Sequence, residues 1–409
     1  MTYLLSNNNQ DCTGCSACAS ICTHTAITMI EDSEGFLYPK IDKEKCVGCK
    51  LCEIVCPING DTRHNDASEQ IISLVRTNHE EYYLKSATVG VCTMLSQYAL
   101  ENGWIVFGSA LDEKLWQASH ISIKQVSEIH KIRGSKYFQS STKHTFTEVK
   151  DYLKKGINVL YIGTPCQISG LKSFLRKNYE NLFTIDLICH GTFSYKFFQK
   201  EVAYWEHKYN GKMSNFSFRN KKIGLGGVVS FDITQKGRVR NYVWPAACSP
   251  VYRCFTANED GVDYNLRPSC YGCKFHESER YGDITIGDAW GIQDKRPELF
   301  DQHTKTKGIS LVFENSRKGS VIMKKIQHLI YSVQIPLSDA LSQPALVPYD
   351  NPIPTGRKIL YDNLGTSDYQ TLVESVLHVD FDKLQSGYVR KQRINNLKNI
   401  FKKIILNIK

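Results

Sequence analysis

The sequence predicts a small cysteine-rich α+β module followed by an α/β body with a mixed, partly parallel sheet. Three observations carry this reading. Eight cysteines fall in two identically spaced sets between Cys12 and Cys56. Strand-like and helix-like segments alternate from Ile71 to about residue 190, the signature of an α/β domain. Residues 59–69, NGDTRHNDASE, are polar and rich in turn formers and separate the two regions. The 409 residues suffice for two or three domains. The expected boundaries are 1–60 for the module, 61–69 for the linker, 70–190 and 191–345 for the two parts of the body, and 346–409 for a C-terminal helical region.

Both cysteine sets read C-x2-C-x2-C-x3-C: Cys12, Cys15, Cys18 and Cys22, then Cys46, Cys49, Cys52 and Cys56, followed by Pro57. This is the spacing of a two-cluster [4Fe–4S] ferredoxin. Three cysteines on a tight loop hold three corners of one cube, and the fourth is carried away to the other cluster. The expected ligand sets are therefore Cys12, Cys15, Cys18 and Cys56, and Cys22, Cys46, Cys49 and Cys52. Gly14 and Gly48 are expected where the backbone approaches the sulfides closely. Thr23 stands where the second repeat has Pro57. Zinc is the alternative, but its ligands usually come as two separated C-x2-C pairs.

Composition narrows the setting. Fifteen cysteines would suit a secreted disulfide scaffold, yet they cluster at metal-ligand spacing and no signal-like N-terminal stretch is visible. A cytoplasmic location is expected. No apolar run approaches 18 residues, so no membrane span is predicted. The net charge of +10 is moderate, and no basic stripe interleaved with aromatics points to nucleic acid.

In the body, Ile71–Val75, Trp104–Ser109, Asn158–Ile162 and Leu182–Cys189 read as strands. Val89–Glu101, Thr142–Lys154 and Pro165–Lys177 read as helices. Phe216–Arg219, Gly227–Ile233 and Val239–Trp244 read as short strands, and residues 309–360 as mixed α/β.

Four segments carry candidate chemistry. They are Arg133-Gly-Ser-Lys-Tyr-Phe-Gln-Ser140, Gly163-Thr-Pro-Cys-Gln167 at a strand-to-helix junction, Cys189-His-Gly191 at a strand end, and Arg267-Pro-Ser-Cys-Tyr-Gly-Cys273 followed by Gly282-Asp-Ile-Thr-Ile-Gly-Asp-Ala-Trp-Gly291. With these motifs in this order, residues from about 70 to 340 resemble the beta subunit of coenzyme F420 hydrogenase and dehydrogenase. The added ferredoxin pair is similar to the F420H2-oxidising subunit of larger dehydrogenase complexes. The resemblance implies a flavin-binding body with FAD, a further [4Fe–4S] cluster, and hydride exchange with a deazaflavin or another two-electron donor. Related bacterial proteins also accompany polysaccharide biosynthesis, so the substrate stays open. Gly90-Val-Cys92 departs from the Gly-Gly step expected of the family.

The residues also have a chemistry of their own. Cys166 and Cys189 lie at the C-terminal ends of adjacent predicted strands, where open α/β sheets place their sites. With the Cys270–Cys273 pair they offer four thiolates for a third cluster. Cys92, Cys248 and Cys254 lack motif context; they read as structural, with Cys248 and Cys254 as spare ligands. Helix starts after Ser86–Gly90 and at Gly163-Thr164 supply N–H groups for the FAD pyrophosphate. Arg133, Ser135 and Lys136 line the same expected site, and Lys136 is a catalytic candidate through the anionic reduced flavin; a solvated lysine is the alternative. Tyr137 stacks on the flavin or packs in the core. No G-x-G-x-x-G is present. His190 is a candidate proton donor or a histidine satisfied by a backbone carbonyl. Asp283 and Asp288 read as turn caps.

From Val389 the tail carries seven Lys or Arg, no acid, and apolar residues at helical spacing (Ile394, Leu397, Phe401, Ile404 or Ile405, Ile408). Such a helix suits peripheral contact with the inner face of a membrane, a partner, or its own domain. The function expected is a flavin- and iron–sulfur-dependent oxidoreductase linking a small-molecule two-electron carrier, with F420 a candidate, to a redox partner protein or ferredoxin. The alternative is a non-catalytic electron-relay subunit serving a partner enzyme, in polysaccharide biosynthesis for instance.

Overall fold

The two cysteine repeats fold into two copies of one backbone motif. In the computed structural model Gly14 and Gly48 both take φ +71°, and each is followed two residues later by a second left-handed residue, Ser16 or Lys50. One helical turn then starts in each copy, Ala17–Ile21 and Leu51–Ile54. The structure describes residues 1–409 apart from 60–64, 66–67, 69, 78, 222, 224–225, 258–260, 302–303, 305–307, 348–351 and 408–409, and the side chains of 396 and 398–407. Between the copies β1 (Ile27–Glu31) and β2 (Leu37–Ile41) form an antiparallel hairpin with Ile27 opposite Ile41. Its turn is closed by the Phe36 N–H donating to Asp32 Oδ1 at 2.8 Å. Most of the linker expected at 61–69 lies outside the described residues. Asn65 within it is tied to the body, donating from Nδ2 to Gly282 O at 2.7 Å.

The body is built on a nine-stranded mixed sheet. Its strands are β3 (Ile71–Arg76), β4 (Ile105–Asp112), β5 (Gln117–Ile123), β6 (Ser140–Ser141), β7 (Val159–Gly163), β8 (Leu182–Leu187), β12 (Ile284–Asp288), β13 (Ser310–Glu314) and β14 (Tyr331–Gln334). They lie in the order β14-β3-β13-β12-β8-β7-β4-β5-β6. The four central strands β12, β8, β7 and β4 are parallel to their neighbours within that group. Antiparallel strands extend it on both flanks, β13 beside β12 and β5 beside β4. The strand β5 was not expected. Helices α1 (Val91–Glu101), α2 (Thr145–Lys154) and α3 (Pro165–Leu175) cross between strands, each burying an apolar stripe. A capping box starts α3: the Thr164 N–H donates to Gln167 Oε1 at 3.0 Å.

A second layer follows. Helix α4 (Tyr195–Tyr209) packs on a three-stranded antiparallel sheet of β9 (Lys212–Ser217), β10 (Val228–Gln235) and β11 (Arg238–Pro245). Its core is aromatic: Phe138 stacks on Phe198 at 4.8 Å and Trp205 on Trp244 at 5.8 Å. Each such ring fully removed from water stabilises by about 1.5–3 kcal/mol. Helix α5 (Arg317–Ile326) covers the main sheet. The helices α6 (Thr355–Asn363), α7 (Tyr369–Leu377) and α8 (Phe381–Asn407) close the aromatic core from outside, with Leu360, Val373 and Phe381 fully buried. Buried Glu201 of α4 ties them in, accepting from Trp205 Nε1, Ser249 Oγ, the Val251 N–H and Tyr369 Oη.

The ferredoxin-like module docks where these layers meet. Phe36 and Tyr38 of the hairpin enter the aromatic core. Cys15 lies against α3, where a Cβ on Gly170 would stand 2.9 Å from both its Cβ and its Sγ. Glu34 pairs with Arg357 of α6. Of the tail residues, Ile394 and Leu397 are exposed, while the side chains at 401, 404, 405 and 408 lie outside the described set. Among the described residues no helix is long and apolar enough to cross a membrane.

Candidate functional site

One cavity of about 820 Å³ opens at the C-terminal edge of the four parallel strands, the edge where open α/β sheets hold ligands. Gly163, Thr164 and Cys166 reach it from the end of β7. Cys189 and His190 follow β8, and Asp288 and Trp290 come from the end of β12. The 133–140 segment forms the opposite wall with Arg133, Ser135, Lys136 and Tyr137. Cys270 and Cys273 enter from the loop after the aromatic layer. All the body residues expected at the site therefore share one space, although four separate chain segments supply them.

Cys166, Cys189 and Cys273 each stand close enough to another of the four body thiols for it to raise their pKa. Burial pushes Cys166 up to about 11, with Cys270 adding to the effect. Burial and the neighbouring thiols also raise Cys189 and Cys273. Thr164 Oγ1 lies 3.2 Å from Cys166 Sγ. Cys248 and Cys254 are buried in the aromatic core instead and do not line the cavity. Cys92 does line it, and burial pushes its thiol up to about 12.

Five of the module's cysteines gather around one small cavity. Cys12, Cys15, Cys18 and Cys56 surround a small inner cavity of about 30 Å³ that Cys52 also touches. Burial raises Cys15 first, and Cys56, Cys18 and Cys12 add to it. Cys46 and Cys49 are exposed and Cys22 is half-buried. Among the described residues no group of three or more His, Cys, Asp or Glu is arranged to hold a metal ion. The expected crowding at Gly14 exists, but its source is protein: a Cβ there would meet Gln139 Nε2 at 1.9 Å. Gly48 has open space, so its left-handed φ alone selects glycine.

Lys136 is half-buried, and its ammonium donates to Ile132 O (3.0 Å), Arg133 O (3.0 Å) and Gly134 O (3.2 Å). It thereby caps the helical turn Ile129–Ile132. Burial lowers it to about 7, while the three carbonyls favour its charged form. His190 Nε2 faces Asp263 Oδ1 at 3.0 Å, so its partner is a carboxylate as well as backbone. Burial works against its charge, but Asp263 raises the net pKa. Tyr137 packs on Phe255 at 5.0 Å, edge-on to Phe218 and Tyr252, and still borders the cavity.

The turn-cap reading of the two aspartates needs correction. Asp283 is buried and accepts from the Thr184 N–H and Thr184 Oγ1, both at 2.8 Å, joining two strands. Asp288 forms an ion pair with Arg219 at 2.6 Å and accepts from Thr88 Oγ1 in the cavity wall. Arg219 also donates to Tyr137 Oη at 3.3 Å and sits 5.9 Å from the Trp290 ring. The sequence reading missed Arg219, Trp290 and His120. Trp290 was legible as a tryptophan inside a singled-out motif, and Arg219 as the last residue of a predicted strand. His120 lay on the unexpected β5; buried, it bonds Ser140 Oγ and Ile162 O at 3.0 Å each.

Comparison with known proteins gives the site its context. Residues 156–336 match the family described as the C terminus of the coenzyme F420 hydrogenase/dehydrogenase beta subunit. Residues 11–59 match the 4Fe-4S dicluster domain. The 133–140 wall lies outside both matches. A chain of the F420-reducing [NiFe] hydrogenase complex from Methanosarcina barkeri aligns over 69% of this chain and 89% of its own, at 20% identity and a TM-score of 0.43. No curated protein matches. Part of the body, residues 156–336, is thus similar to the C terminus of the coenzyme F420 hydrogenase/dehydrogenase beta subunit, and the N-terminal module to a 4Fe–4S dicluster domain.

Proposed function

We propose that this chain is a flavin- and iron–sulfur-dependent oxidoreductase. It exchanges electrons between a two-electron carrier, a deazaflavin of the F420 type or another, and a one-electron redox partner such as a ferredoxin. The observation that carries this reading is the cavity of about 820 Å³ in which Cys166, Cys189, Cys270 and Cys273 meet two helix starts and Lys136. Its size suits a large cofactor with a small substrate.

The residues present fit the groups the family implies. Cys166, Cys189, Cys270 and Cys273 supply the four thiolates of one 4Fe–4S centre beside the cavity. Cys12, Cys15, Cys18 and Cys56 supply a second, and Cys22, Cys46, Cys49 and Cys52 a third. Gly163-Thr164 and the start of α1 after Ser86–Gly90 present helix N-termini to a pyrophosphate, with Arg133, Ser135 and Lys136 adjacent. A bound flavin handles two electrons together or singly, and 4Fe–4S clusters carry one at a time. The protein's own part is position and charge. Lys136 places a cation at the cavity wall. His190, held by Asp263, supplies a protonatable group there. Tyr137 and Phe138 screen the inner end from water. Exposed Cys46 and Cys49 leave the outer centre open to a partner.

Anaerobically purified protein is expected to carry one FAD and about twelve iron atoms per chain. F420H2, NADH and reduced ferredoxin are then screened as donors by bleaching of the flavin band. Three clusters without flavin would refute the enzyme reading and leave the relay subunit.

A further inference from the structure

Arg267 is 1% exposed and lies in the partition between two of the four-cysteine sites. Its main chain belongs to the loop that carries Cys270, whose N–H donates to Arg267 O at 2.9 Å. Its side chain crosses to the ferredoxin module: Nε donates to Cys12 O at 2.8 Å and Nη2 to Leu37 O at 3.0 Å. Nη1 donates to Gln139 Oε1 at 3.1 Å, and the Tyr38 ring centre lies 4.2 Å from the guanidinium carbon. Thr13, next to Cys12, lines both the large cavity and the inner module cavity.

Three other deeply placed arginines have carboxylate partners. Arg219 pairs with Asp288, Arg280 with Asp186 and Arg357 with Glu34. Among the described residues no carboxylate lies within 4.0 Å of Arg267. Neutral oxygens and a ring face solvate its guanidinium without cancelling the charge. A buried cation in that position is strongly unfavourable unless anions stand near it. The groups placed to supply them are the cysteines of the two sites: Cys12, whose carbonyl accepts from Arg267 Nε, on one side, and Cys270, whose N–H donates to Arg267 O, on the other.

We infer that Arg267 is the shared buried counter-charge of the Cys12/Cys15/Cys18/Cys56 and Cys166/Cys189/Cys270/Cys273 sites, and that it raises the reduction potential of both. This rests on the reading above that both sites hold 4Fe–4S clusters. Net charge and hydrogen bonding near a cluster are main determinants of its potential. A fixed cation stabilises the more negative, reduced form, so its loss makes each centre harder to reduce.

The test is a potentiometric titration followed by electron paramagnetic resonance on the full chain. Iron content of the unmodified protein is measured first. Fewer than about twelve irons per chain would count against the cluster reading itself. With the irons present, Arg267→Gln is expected to make both inner centres at least tenfold harder to reduce, 59 mV for one electron. The outer Cys22/Cys46/Cys49/Cys52 centre is expected to stay in place, and Arg267→Lys to remain within threefold of the unmodified protein. Gln139→Glu sets a carboxylate against an intact Arg267 and is expected to shift both inner centres in the same direction, which keeps the test open if Arg267→Gln does not load its clusters. Unmoved potentials, movement of one inner centre only, or an Arg267→Lys shift equal to that of Arg267→Gln would each overturn the inference and leave Arg267 as a docking residue.

Discussion

Arg357→Met should loosen the N-terminal module from the C-terminal helices without unfolding the body. The Arg357 side chain is 5% exposed and meets Glu34 at 21%. It donates from Nη1 to Glu34 Oε1 at 2.9 Å, from Nη2 to the other carboxylate oxygen, and from Nε to Leu266 O at 2.7 Å. Removing one partner of a buried pair costs about 3–5 kcal/mol. Glu34 keeps a path to solvent, which discounts the cost to about 2–3 kcal/mol. At 1.4 kcal/mol per decade that is about a 30- to 140-fold more frequent opening of the hairpin. Native-state hydrogen exchange read by mass spectrometry on peptides covering 27–41 measures it directly. Glu34→Gln should speed the same peptides, and the double variant should fall short of the summed effects because the two side chains are coupled. The reasoning fails if exchange at 27–41 rises less than about threefold, or if peptides of β10 and β11 accelerate equally, which would mean global destabilisation.

Other outcomes follow from the same structure. Cys273→Ser is expected to lower iron from about twelve to about eight atoms per chain, whereas Cys248→Ala, in the aromatic core, leaves iron unchanged and costs only about 1 kcal/mol in a thermal melt. Lys136→Gln is expected to weaken flavin retention about tenfold after desalting, since it removes both the cation and a helix-turn cap. His120 is held neutral, its pKa lowered from 6.5 to about 4 by burial. The unfolded chain therefore binds the extra proton between those values, so the contribution of His120 is present above pH 6.5 and is lost as pH falls towards 4. Between pH 7 and 5 that amounts to about 2 kcal/mol. The difference in melting temperature between the unmodified protein and His120→Asn, taken at both pH values, is expected to shrink at pH 5; a constant difference would contradict it.

Much of the module was legible because its chemistry is local. A three-residue rhythm of cysteines needs a left-handed glycine between ligands, and both copies supply one at the same φ. The parallel strands were legible for a similar reason: runs such as Val159–Gly163 are apolar and lie between amphipathic helices. The antiparallel β5 was missed because QASHISI is polar and small at its start, with its branched residues, Ile121 and Ile123, confined to its end. Asp288 was misread because its partners, Arg219 and Thr88, are distant in sequence, and a carboxylate after a strand looks like a cap until its neighbours are known.

The sequence by itself determined the ligand spacing of the module and the strand-to-helix junction at Thr164, since each depends on neighbours a few residues apart. Tertiary structure decided that Cys166, Cys189, Cys270 and Cys273 line one cavity while Cys248 and Cys254 face the core. It also seated Arg267 against Cys12 across 255 residues of chain. Long-range pairing of that kind is set by which buried surfaces and charges can satisfy one another, and no local pattern in the chain encodes it.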